Sequence, residues 1–120
     1  MHVFVSASTE CFRDLSLIKA MERLADLEYT AVEFAMFEDG EQLKPSQVAA
    51  DVEAAVALCR NSRRLDVVAF DVRITAEKQE HYDQFTAICQ MAKAAKVVTI
   101  SLAPNGPAAP PVRALRRAVA

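Results

Sequence analysis

Short apolar runs alternate along this chain with longer stretches whose apolar residues recur every three or four positions. Val3-Phe4-Val5-Ser6-Ala7 predicts a first strand ending in small polar residues. Asp14-Leu15-Ser16 then supplies a helix-start signal. Leu17, Ala20, Met21, Leu24 and Leu27 follow at helical spacing, with Lys19, Glu22, Arg23 and Asp26 opposite, so a first helix is expected over about 16–27. Thr30 to Met36 predicts a second strand, and Phe37 to Lys44 a polar loop with an Asp39-Gly40 turn. From Pro45, the residues Val48, Val52, Ala55, Val56 and Cys59 form one continuous helical stripe. Arg60, Arg63 and Arg64 sit in or just beyond its last turn, suited to the negative end of the helix dipole.

Leu65 to Val72 reads as a third strand. Tyr82, Phe85, Ile88, Cys89 and Ala92 mark a third helix ending near Lys96, and Val97 to Leu102 a fourth strand. Strand starts near 3, 31, 66 and 97 are spaced by 28, 35 and 31 residues. That is the period of parallel strands joined by helical crossovers. The expected fold is therefore α/β, a partial (β/α)8 TIM barrel of about four parallel βα units occupying residues 1–103. Residues 104–120 form a Pro/Ala/Arg-rich tail, where Val112, Leu115 and Val119 hint at the start of a fourth helix with Arg113, Arg116 and Arg117 outward.

Side chains alternate across a strand, so position sorts them by face. Val32, Phe34 and Met36 oppose Ala31, Glu33 and Ala35; Val68 and Phe70 oppose Val67, Ala69 and Asp71; Val98, Ile100 and Leu102 oppose Val97, Thr99 and Ser101. The larger aliphatic sets belong against helices. Ser6, Glu33, Asp71, Thr99 and Ser101 are then left on the axial face, toward the carboxyl ends of the strands, where barrel enzymes bind substrate. A carboxylate inside an apolar strand is costly unless paired or wet. Glu33 and Asp71 thus either meet a ligand, face solvent, or pair with an arginine such as Arg73. Thr99 and Ser101 also suit a strand simply as β-former and small filler. His81 is expected on a helix surface, and His2 at the wrong end of its strand for the mouth.

Composition narrows the classes. A net charge of −2, with both signs mixed, gives no basis for binding nucleic acid or an anionic membrane. No apolar run approaches the roughly 20 residues of a spanning helix, and the start lacks the features of a secretory signal. Cys11, Cys59 and Cys89 are odd in number and widely spaced, which argues against zinc and against a disulfide framework; a reducing, cytoplasmic setting is expected. Only Gly40 and Gly106 are glycines, so neither a dinucleotide fingerprint nor a phosphate loop can form. No nucleophile–base pair is evident, and the catalytic residues are not assignable.

Three stretches resemble the xylose isomerase-like barrels, the group of sugar-phosphate isomerases and epimerases. They are Val3 to Thr9, Leu24 to Glu33, and Leu65 to Phe70. Val32-Glu33-Phe34 matches the aliphatic–Glu–hydrophobic step of that group's second strand, and Ala87 to Thr99 looks like its third helix running into strand four. The resemblance spans 3 to about 102 and implies a sugar substrate with Glu33 near it. It also implies a divalent metal in full-length relatives, held mostly by later strands, so that this chain alone is expected to hold none and to be inactive. The tail departs from the group's pattern. The first reading is thus the amino-terminal half of a sugar isomerase or epimerase barrel. The alternative is a non-enzymatic half-barrel that self-associates or complements a second half; a small doubly wound α/β protein, with helices on both sheet faces, is a third.

Overall fold

The structure is a computed structural model that describes residues 5–62, 65–75 and 77–105. Its elements run β1 (Ser6–Ser8), a 3-10 turn (Thr9–Phe12), α1 (Leu17–Asp26), β2 (Ala31–Phe37), α2 (Pro45–Ala50), α3 (Val52–Arg60), β3 (Asp66–Thr75), α4 (Gln79–Ala95) and β4 (Thr99–Asn105). The four strands make one sheet, all parallel, in the order β1-β2-β3-β4. Val3, Phe4 and His2, the arginines 63 and 64, and the expected tail helix lie outside the described residues.

The amphipathic pattern explains the layering. Leu17, Ala20, Met21 and Leu24 of α1, Ala55, Val56 and Cys59 of α3, and Phe85, Ile88 and Met91 of α4 are all buried. All of these but Ala20 join Val32, Phe34, Met36, Phe70, Val72 and Ile74 of the sheet in one apolar cluster. Phe34 and Phe70 stack at its centre, ring centroids 6.0 Å apart. From β2 and β3 only the Val32–Phe34–Met36 and Phe70–Val72–Ile74 side supplies that buried cluster, so the described helices cover one face; Ala35 and Phe37 are buried on the other side without joining it. An order without reversal has this outcome when every crossover takes the same hand. A doubly wound sheet needs a reversal of strand order, so that third reading is not what forms.

Local signals position the helices. The Ser16 hydroxyl accepts from the Lys19 N–H at 3.4 Å and starts α1. Helices α1 and α4 end alike. The Tyr29 N–H donates to the Leu24 carbonyl at 3.1 Å, and the Val97 N–H to that of Ala92 at 2.8 Å. The residue before each, Glu28 (φ 68°) and Lys96 (φ 60°), is left-handed, which completes a Schellman closure and turns the chain toward the next strand.

Several expectations need correction. The helix from Pro45 is two helices, broken at Asp51 (φ −153°, ψ 90°), whose carboxylate accepts from the Ala54 N–H at 3.0 Å and restarts the turn. Phe37 belongs to β2 rather than the loop, β3 runs on to Thr75, and β4 spans 99–105 rather than 97–102. In β3, Val67 lies beside Val32 but Ala69 beside Glu33, so Val68 is an extra residue in the ladder. Val67 therefore packs on the core, and Val68 does not accompany Phe70 into it. His81 is not a free surface group: its Nδ1 accepts from the N–H groups of Glu77 (3.2 Å) and Lys78 (3.1 Å) and caps α4.

Candidate functional site

Register places the polar strand residues on the face the helices leave open. Ser8, Glu33, Ala69 and Thr99 form one rung across all four strands; Ala35, Asp71 and Ser101 form a rung two residues nearer the carboxyl end. Thr99 thus stands level with Glu33, and Ser101 level with Asp71. Ser6 shares this face but stands beside Ala31, one rung further from the carboxyl end; Ser8 is the serine level with Glu33. Glu33 and Asp71 are half-buried, whereas Ser6, Thr99 and Ser101 are exposed.

The 3-10 turn after β1 brings a residue that strand parity does not reveal. Burial raises the Glu33 carboxyl above its ordinary value of 4.5, and the Asp71 and Glu10 carboxylates raise it further. Arg73 does not pair with Glu33 or Asp71. Its guanidinium meets Glu10 at 3.6 Å and lies over the Phe37 ring, 4.5 Å from the centroid. Glu33 and Asp71 have no ion pair among the described residues, so they supply uncompensated acceptor capacity on the open face.

The turn that carries Glu10 is held from both sides. The buried Thr9 hydroxyl accepts from the Ala35 N–H at 2.9 Å, extending the pairing of β2 past the end of β1. The Gln42 side-chain amide donates to the carbonyls of Thr9 (2.8 Å) and Phe12 (3.0 Å). Neither tie has a sequence signal, because the partners lie 26 to 33 residues apart. Beyond the turn, Glu38 accepts from the Ser46 backbone N–H at 3.1 Å and from the Ser46 hydroxyl. That bond fixes the β2–α2 loop at the same end of the sheet.

An open cleft of about 490 Å³ lies at the other end of the sheet, where Arg60, Asp66, Val68, Lys96 and Val98 surround the entry to β3 and β4. Beside the carboxylates a nook of about 10 Å³ lies between Glu10, Phe37 and Gln42, room for about one water. Chemistry rather than enclosure singles out the open face: an open sheet presents its groups without walls. Among the described residues no group of three His, Cys, Asp or Glu side chains is placed to hold a metal ion. The divalent metal implied by the resemblance therefore does not fit the described residues. Nor is any described helix long and apolar enough to cross a membrane.

Cys59 and Cys89 lie on the helices, away from this face. Cys59 is buried in α3 and its thiol is pushed up to about 11 by burial; half-buried Cys89 in α4 is raised for the same reason. No family model, curated protein or solved structure matches the chain.

Proposed function

We propose that the open face of the sheet is the sugar-binding mouth of a (β/α)8-type unit of xylose isomerase-like kind, with Glu33 as the group that accepts and returns a proton. The observation that carries this reading is the assembly of Glu33, Asp71, Thr99 and Ser101 on adjacent rungs of the sheet face opposite the described helices. Hydroxyls and carboxylates in that array suit a polyhydroxylated ligand, since each sugar hydroxyl both donates and accepts. A carboxyl held above its usual range is better matched to proton transfer near neutrality than an ordinary glutamate. Removing a proton beside a carbonyl and returning it to the neighbouring carbon or oxygen is the reaction class such a base serves.

Charge refines the substrate. Among the described residues, Glu10, Glu33 and Asp71 cluster near Arg73, which Glu10 already engages. A phosphate group would be repelled, so the reading is for a neutral sugar rather than a sugar phosphate. The binding test is backbone NMR of the chain titrated with neutral pentoses and hexoses, and separately with a sugar phosphate. Shifts confined to residues near 33, 71, 99 and 101 with the neutral sugars alone, and weakened by Glu33→Gln, are expected. Equal or stronger binding of the phosphate, or no response to any sugar, would sink it.

A further inference from the structure

We propose that this chain pairs with a second copy of itself through the outer edges of β1 and β4, closing an eight-stranded parallel ring. Among the described residues neither outer edge has a partner. Edge strands that stay single are normally guarded by charge, by proline or by brevity; β1 is short and β4 carries Pro104 near its end, but charge guards neither. Here the distribution is inverted. The inner strands carry Glu33, Asp66, Asp71 and Arg73, whereas Ser6–Ser8 of β1 and Thr99–Asn105 of β4 contain no charged residue. Uncovered apolar side chains lie at the same two edges. Val98, just before β4, is 91% exposed, the most exposed large hydrophobic residue described; Val5, just before β1, is 60% exposed.

Topology fits a second copy to both edges at once. The strands are parallel and in sequence order, so a two-fold axis along the strand direction sets β4 of each copy beside β1 of the other. Both junctions are then parallel, and no edge remains. A partner offering a single strand satisfies only one of the two edges. The side chains at the junction also match in kind. Ser6 and Ser8 on β1 and Thr99 and Ser101 on β4 occupy the same sheet face, and hydroxyl pairs of this type favour neighbouring strands. The helices stay outside and the face bearing Glu33 and Asp71 turns inward, as in a closed barrel. This pairing stands independently of the sugar reading.

The test is light scattering of the 120-residue chain over a wide concentration range, with hydrogen exchange of the amides of residues 99–102. The expected result is a dimer whose 99–102 amides become slower to exchange as concentration rises. Val98→Lys and Val5→Lys change exposed positions, so each monomer should keep its circular dichroism, while the dimer dissociation constant rises at least about tenfold, because pairing would bury an unpaired charge. A monomer at every concentration overturns the proposal, whether its 99–102 amides are fast or slow. A dimer indifferent to both lysines, or particles growing without limit, overturns it equally.

Discussion

At Glu33, burial, Asp71 and Glu10 all oppose the charged carboxylate. The folded state therefore holds this proton to higher pH than the unfolded chain does. Its stabilising contribution is complete below the ordinary value of 4.5 and is lost as pH rises through the raised one. Glu33→Gln should accordingly be more stable than the parent at neutral pH in urea titrations, and the difference should vanish as pH falls below 4.5. Asp71→Asn removes one of the opposing charges, so the Glu33 carboxyl should titrate lower when followed by carbon NMR; an unmoved titration would separate the two groups. The thiols offer a second check. With Cys59 at about 11, roughly one molecule in a thousand carries its thiolate at pH 8, and the side chain is buried as well. Alkylation followed by mass spectrometry should modify the exposed Cys11 readily and Cys59 only on unfolding. Of the residues on the open face, Glu33, Asp71, Thr99 and Ser101 are legible from alternation alone, because β2, β3 and β4 keep one register from Glu33 onward. Glu10 is not, since it follows the strand in a turn that Thr9 and Gln42 hold through contacts distant in sequence.

At the scale of the element, the two matching helix ends make a quantitative case. Glu28 and Lys96 hold a left-handed conformation that costs a side-chain-bearing residue about 1 kcal/mol and glycine almost nothing. Lys96→Gly should therefore raise stability by about 0.5–1 kcal/mol in denaturant titration, while the same change at the half-buried α4 position Ala95 should lower it. The helices and strands themselves are readable because their apolar periods differ, 3.6 residues against 2. What escapes is irregularity inside a uniform pattern. The stripe from Val48 to Cys59 stays apolar across Asp51, so nothing in the spacing reveals the break that its capping carboxylate makes. Val67-Val68-Ala69 is equally featureless, so the extra residue in β3 becomes visible only from the ladder beside it. His81 lacks the usual chemistry of a cap, yet its ring nitrogen performs that role.

At the scale of the whole molecule, one sheet face carries the stability and the other carries the polar chemistry. Phe70→Ala would open the centre of the core beside Phe34 and should cost about 3–5 kcal/mol. Ser101→Ala on the exposed face should fall within about 0.5 kcal/mol of the parent in the same thermal or denaturant experiment. This separation lets the open face vary in chemistry while the helical face keeps the fold. The strand order also bears on how the chain is made. Each strand pairs only with its neighbours in sequence, Ser6 with Ala31, Ala31 with Asp66, Ala69 with Thr99. A ribosome delivering the chain amino end first therefore releases each of β2, β3 and β4 directly after a strand it joins. The sheet can grow in the direction of translation, one crossover at a time, each new strand adding to the margin left by the one before it.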